Sequence, residues 1–133
     1  MSRTTAIAVM LAVLSLGPAQ LAVAQGASQQ AINVELSSFA FTPSSLTLQH
    51  GRTYRLHLVN TSGGGHDFTA PEFFAASAIA PADRNRVTDG KVKLAGNQTV
   101  DINLTHEKAG TYPLRCSHFL HAGMGMRGSI TVQ

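Results

Sequence analysis

The sequence has little of what would build a nucleic-acid surface, a disulfide framework or a membrane span. It contains no Trp, and aromatic residues make up 6% and charged residues 13% of its 133 residues. With no block of like charge and so few aromatics, it offers neither a phosphate-binding surface nor a platform for stacked bases. A single Cys excludes an intramolecular disulfide and a zinc site of four cysteines. No apolar run approaches the roughly 20 residues of a membrane helix.

The N-terminus has the three parts of an export signal. Arg3 precedes a mostly apolar segment over residues 6–16, a Gly-Pro pair follows, and small residues then lead up to Ala24. This order is typical of a signal peptide that is removed after the small residues. The sequence therefore predicts a signal peptide over 1–24, cleavage near Ala24, and a mature domain over 25–133 that works in a bacterial periplasm.

That location makes the lone cysteine informative. In an oxidising compartment a single thiol is buried, reactive, paired between chains or held by a metal. Cys116 is therefore the residue that a functional hypothesis has to explain.

Apolar and polar residues alternate along most of the chain from residue 25 onward. Ile32, Val34 and Leu36, for example, are separated by polar residues, which is the period of a half-buried strand. Such segments recur at spacings of roughly 8–15 residues, as in a β-sandwich or barrel. One Ala-rich stretch, Pro71 to Ala82, lacks this alternation and predicts a short helix that begins at Pro71 or Glu72. The pattern predicts an all-β domain of about seven or eight strands with one short helix.

Soft metal donors are concentrated near the C-terminus. Cys116, His121 and Met126 are each separated by four residues, so a loop between two strands can bring them to one point. A thiolate, imidazoles and a thioether suit copper, whose trigonal sites use two His, one Cys and a weak axial Met. The second imidazole has to come from elsewhere. His66 is the best candidate, because the three glycines before it let the backbone approach closely.

The order of these motifs resembles the cupredoxin family, the small blue copper proteins, over nearly all of the mature chain. The similarity runs from Phe39-x-Phe41-x-Pro43 through Gly65-His66-Asp-Phe68 to Cys116…His121…Met126-x-Gly128. It implies a Greek-key β-sandwich that binds one copper ion, as Cu(I) or Cu(II), with His66, Cys116, His121 and Met126 as ligands. The spacing of the ligand loop resembles that of rusticyanin. The family's function implies electron transfer without enzymatic activity.

The resemblance also implies a partner. We expect a monomer whose redox partner protein docks near His121, on an apolar collar that includes Met124, with no role for nucleic acid.

Two alternative functions and several alternative ligands stay open. The dense His and Met content of the loop also fits a periplasmic copper carrier or metallochaperone. A site resembling the red copper protein nitrosocyanin, acting on a small ligand, would require Glu72 or His118 beside the metal. Spacing alone does not separate Met124 from Met126 as the axial ligand.

The remaining histidines have simpler interpretations. His50 is expected in a turn, His57 on an outward strand face and His106 in a loop.

Overall fold

The computed structural model describes residues 29–118 and 123–133, so the predicted signal peptide over 1–24 lies outside the described residues. Alternating segments form strands, because every second side chain of a strand points to the same face. Within these ranges no helix has the length and apolar character needed to cross a membrane. The elements in chain order are β1 (Gln30–Ser37), β2 (Ala40–Thr42), β3 (Ser45–Leu48), β4 (Thr53–Asn60), β5 (His66–Thr69), α1 (Pro71–Ala75), β6 (Ser77–Ile79), a 3-10 helix (Pro81–Arg86), β7 (Lys91–Leu94), β8 (Thr99–His106), β9 (Gly110–Arg115) and β10 (Arg127–Val132).

The strands of the described residues form two five-stranded sheets. The first has the order β2-β1-β4-β8-β6 and the second the order β3-β10-β9-β5-β7. Most pairs are antiparallel, but β1 runs parallel to β4 and β10 runs parallel to β3. Neighbours within a sheet are thus often distant in the chain, as in Greek-key sandwiches. The prediction of an all-β Greek-key β-sandwich is confirmed.

Ten strands are present in the described part of the chain, rather than about seven or eight, because two of them give no alternating signal. All four residues of β5 are buried, but three of them are polar, so no alternation with apolar residues reveals this strand. β6 has three residues and lies within the stretch expected to contain the helix. α1 begins at Pro71, as predicted, because proline is tolerated in the first turn of a helix. It ends at Ala75, where the chain turns to pair β6 with β8.

The core lies between the two sheets. In β4, Tyr54, Leu56 and Leu58 are buried while the intervening side chains are more exposed, which confirms the predicted alternation. Each fully buried Leu or Phe side chain contributes about 1.5–3 kcal/mol. Buried residues at the centre of this core also include Leu36, Phe68, Phe73, Leu94, Ile102, Leu114 and Ile130.

His106 is not in a loop, and that prediction was wrong. It is the last residue of β8, its side chain is fully buried, and its ring stacks on Phe73 with centroids 4.7 Å apart. The Nδ1 atom accepts a hydrogen bond from the Lys108 N–H at 3.2 Å. Burial lowers the pKa of His106 below its ordinary value, because the charged form would lose its hydration. The imidazole of His106 therefore packs in the core as an aromatic ring.

Candidate metal centre

One end of the sandwich brings together three segments that are far apart in the chain. His66 is the first residue of β5, Cys116 follows the last residue of β9, and Met126 precedes the first residue of β10. β5 and β10 both pair with β9, so the three residues meet at the same end of the second sheet. Their exposed fractions are 4%, 1% and 0%, so this end of the core holds three buried potential donors.

The sulfur of Cys116 and Nδ1 of His66 lie 3.9 Å apart. In zinc proteins a metal lies about 2.0 Å from nitrogen and about 2.3 Å from thiolate sulfur, so two such donors of one ion are at most about 4.3 Å apart. The Cys116 N–H also donates to the Met126 carbonyl at 3.2 Å. This bond closes the base of the ligand loop and holds the Cys and Met segments together. The donor pair fits a single ion.

The loop over residues 61–65 positions His66. Asn60 is 1% exposed, and its side-chain amide donates to the carbonyls of Gly64 at 2.8 Å and Ala95 at 2.9 Å. A Cβ at Gly96 would lie 2.2 Å from the Gly63 carbonyl oxygen, so only glycine lets the two loops approach this closely. Sequence reasoning missed Asn60. The sequence feature that could have identified it is its position: Asn60 ends the apolar alternation of β4, shortly before the three glycines.

Asp67, also missed, ties β5 to the start of the ligand loop. Its carboxylate accepts hydrogen bonds from the Ser117 N–H at 2.7 Å, the Ser117 hydroxyl at 2.5 Å and the Thr69 hydroxyl at 2.6 Å. Burial would raise the pKa of Asp67, but these bonds and the neighbouring His118 outweigh it and hold the pKa below its ordinary value. The sequence signal is an acidic residue directly next to a candidate ligand.

The Cys116 thiol is protonated in the metal-free protein at neutral pH. Burial raises its pKa, and the negative charge of Asp67 acts in the same direction, against opposing hydrogen bonds. A metal that binds the thiolate has to displace this proton, so metal binding releases protons and weakens as the pH falls.

His118 is turned toward Asp67 at the edge of the site. Its Nε2 lies 3.7 Å from Asp67 Oδ2, and its side chain is 45% exposed. The rings of His118 and His66 have centroids 6.3 Å apart. His118 therefore lies beside both Asp67 and His66.

The structure separates the other alternative ligands from this cluster. Glu72 is exposed in α1, which follows the end of β5 opposite to His66. At about 3.3 Å per residue, β5 puts roughly 10 Å of strand between the two ends. Met124 is 59% exposed, whereas Met126 is fully buried. Burial next to the Cys116 backbone favours Met126 over Met124 as the thioether donor.

His121 falls within 119–122, outside the described residues, so the full ligand set stays a prediction. In the part of the chain that the structure describes, no group of three or more His, Cys, Asp or Glu could hold a metal. The described members of the predicted set are one imidazole, one thiol and one thioether. They are soft or borderline donors of the kind that copper prefers.

Known proteins with this fold include small copper proteins. Reduced auracyanin from the photosynthetic bacterium Roseiflexus castenholzii superposes with a TM-score of 0.59 at 22% identity, over 79% of this chain and 98% of that chain. Auracyanin A, a blue copper protein from Chloroflexus aurantiacus, gives 0.54 at 22% identity, over 77% and 99%. The McoA multicopper oxidase of Aquifex aeolicus gives 0.61 at 17% identity, over 80% of this chain but 30% of that chain. At these identities the likeness shows the fold.

A search of curated proteins found no match. A family model described as a cupredoxin-like domain matches residues 4–132, which is nearly the whole chain. This match confirms the resemblance seen in the sequence, and copper, the predicted cofactor, agrees with both the family and the donor set. The chain belongs to the cupredoxin-like domain family.

Proposed function

We propose that this protein is an exported electron carrier that binds one copper ion through His66, Cys116, His121 and Met126. The observation that carries the proposal is the buried pair of Cys116 Sγ and His66 Nδ1, 3.9 Å apart, with Met126 buried beside it. A copper ion held by these residues would supply one-electron chemistry, cycling between Cu(II) and Cu(I). Such mixed nitrogen and sulfur sites with a weak axial thioether are typical of electron-transfer copper.

The protein contributes a rigid, dry setting for these donors. β5, β9 and β10 fix the ends of the segments that carry the ligands, and the core beneath them excludes water. The Asp67 carboxylate holds the Ser117 backbone, and with it the direction in which the chain leaves Cys116. Donors that are held in place by their neighbours reorganise little when the metal changes charge. This supports a carrier rather than an enzyme.

Burial of the donors weighs against the alternative functions. A copper carrier needs a labile site that a recipient can reach, whereas His66, Cys116 and Met126 are each 4% exposed or less. A nitrosocyanin-like site needs a carboxylate or an additional imidazole at the metal. Glu72 lies beyond the opposite end of β5, which weighs against it as that carboxylate. Electron transfer is the function that the arrangement supports best.

The place of action and the partner belong to the same proposal. We expect a monomer in the periplasm, released by cleavage near Ala24, that exchanges electrons with a protein docking near His121. The exposed Met124 two residues before the buried Met126 agrees with an apolar surface at this end of the molecule.

Copper loading tests the metal site. Adding Cu(II) should produce an intense thiolate-to-copper charge-transfer band and raise the unfolding temperature, since the metal binds only the folded chain. Cys116→Ser should abolish the band and keep the fold, because serine is nearly isosteric but is a poor soft ligand. His121→Ala should degrade the band, whereas His50→Ala, in an exposed turn, should leave it unchanged.

Two results would contradict the proposal. An intense band that survives in Cys116→Ser would remove the thiolate from the site. A copper-loaded protein without a reversible one-electron wave in voltammetry would remove the electron-carrier function while leaving copper binding in place.

A further inference from the structure

A row of basic side chains crosses the outer face of the second sheet. Arg127 of β10 is in register with Arg115 of β9, Arg115 with Thr69 of β5, and Thr69 with Lys91 of β7. Residues in register on neighbouring strands point to the same face. Leu114 is buried in the core, so Arg115 next to it points outward.

The row continues along β7 to Lys93, which is exposed and in register with Asp67. Asp67 is 2% exposed and its oxygens accept hydrogen bonds from Ser117 and Thr69, so it forms no direct ion pair with Lys93. Among the described residues no carboxylate forms an ion pair with Arg115, Lys91 or Lys93.

A groove of about 580 Å³ extends this surface past the edge of β7. Lys91, Lys93 and Arg86 line it together with polar side chains and two valines, and one carboxylate, Asp101, also borders it. Arg86 bridges to Asp83 at 3.2 Å, so the two lysines are the principal free cations of the groove. We define the basic face as Arg115, Arg127, Lys91 and Lys93.

The basic face is directly connected to the metal centre. Arg115 is the residue before Cys116, and the Lys91 ammonium donates to the Ser117 hydroxyl at 3.2 Å. Ser117 is the residue after Cys116, and its hydroxyl donates to Asp67. A molecule bound on this face would therefore lie next to Arg115 and Ser117, the residues directly before and after the thiolate ligand.

Like charges gathered on one face create a positive potential that attracts an oppositely charged surface. Complementary charges of this kind accelerate encounter and orient the two molecules.

We propose that the basic face is a docking surface for an acidic electron-donor protein, in addition to the contact expected near His121. The inference rests on the proposed electron-carrier function and names the chemistry of the partner. One electron leaves the reduced partner and reaches the copper centre through the β9 end at Arg115 and Cys116, and no bond forms or breaks. The acidic partner covers the two arginines and reaches into the lysine-lined groove.

A paramagnetic anion tests the surface without any electron transfer. Hexacyanochromate(III), added to the Cu(I)-loaded protein, should broaden the amide signals around Arg115, Lys91 and Lys93 in the NMR spectrum. Broadening confined to another cationic surface, such as that around Arg52 and Arg55 at the start of β4, would overturn the proposal.

Stopped-flow reduction tests docking itself. Reduced [2Fe–2S] ferredoxin is an acidic donor protein, and its rate of reducing the Cu(II)-loaded protein should fall as salt is added, since screening weakens attraction. The double variant Arg115→Gln/Lys93→Gln should lower the low-salt rate about tenfold, within the range of electrostatic steering. The matched control Arg52→Gln/Arg55→Gln removes the same charge at the far end of β4 and should change it much less.

A second electron donor distinguishes a failure of docking from a failure of the electron-carrier function. Hexaammineruthenium(II), a small cation, should reduce wild type and both variants alike. A different outcome is that hexaammineruthenium(II) reduces all three proteins while the two double variants lower the rate of reduction by ferredoxin equally. In that case only the net charge affects the rate, and the docking proposal is overturned. If neither donor reduces a copper-loaded protein, the electron-carrier function fails, and the docking proposal, which rests on it, falls as well.

Discussion

Asp67 should carry an unusually large share of the stability at the metal end, because three hydrogen bonds converge on its buried carboxylate. The donors are the Ser117 N–H, the Ser117 hydroxyl and the Thr69 hydroxyl, at 2.7, 2.5 and 2.6 Å. Hydrogen bonds to a charged group contribute about 1.5–3 kcal/mol each, but these three share two oxygens and do not add fully. We expect Asp67→Ala to lower the free energy of unfolding by about 3–5 kcal/mol.

Asp67→Asn should cost much less, about 1–2 kcal/mol. The amide oxygen can still accept from the Ser117 N–H and the Thr69 hydroxyl, and the amide nitrogen can donate to the Ser117 hydroxyl oxygen. That oxygen already accepts from Lys91, so the hydroxyl proton of Ser117 is the group left without its acceptor. The difference between the two variants thus measures hydrogen bonding separately from charge.

Urea unfolding of the metal-free protein measures the stability, and hydrogen exchange at the Ser117 amide reports on the ligand loop. Asp83→Ala is a matched control, because Asp83 is also buried and accepts from the backbone and side chain of Asn103 at 2.9 and 2.8 Å. It should destabilise the protein without exposing the Ser117 amide to exchange. In the copper-loaded protein Asp67→Asn should also raise the reduction potential, since loss of a nearby negative charge disfavours Cu(II).

The result that would refute this reasoning is an Asp67→Ala variant that loses less than about 1 kcal/mol, the contribution of one ordinary hydrogen bond. Equal losses in the alanine and asparagine variants would show that charge alone, rather than the three bonds, stabilises the loop.

Two further predictions concern His106 and the methionines. Because burial lowers the pKa of His106, the unfolded chain takes up its proton first as the pH falls below about 6.5, and stability is lost over that range. His106→Phe, which keeps the stacking on Phe73, should flatten this loss in urea unfolding compared at about pH 5 and about pH 8; an unchanged slope would contradict it. Met126→Leu should keep copper but raise the reduction potential, since loss of a weak axial donor disfavours Cu(II), whereas Met124→Leu should not move it. Voltammetry that shows the reverse order would reassign the axial ligand.

The class of fold and the donor chemistry of the site could both be predicted from local sequence patterns. Alternation such as that of Tyr54, Leu56 and Leu58 is a local property of a half-buried strand, so it can be recognised without knowing the partner strands. The donor types and spacing around Cys116 likewise restrict the metal, because soft ligands select soft ions. Local patterns and donor chemistry were enough for these conclusions.

Which residues surround those donors could not be predicted, because it depends on contacts between distant strands. β5 is buried on both faces and shows no alternation, so Asp67 gave no sign that it would meet Ser117, 50 residues away. The sequence placed His106 in a loop, and only its stacking on Phe73 shows that it is a core residue. Arg115 and Lys91 become one surface only through strand register, which long-range pairing sets. These contacts depend on which strands meet, and pairing between distant strands leaves little trace in local sequence.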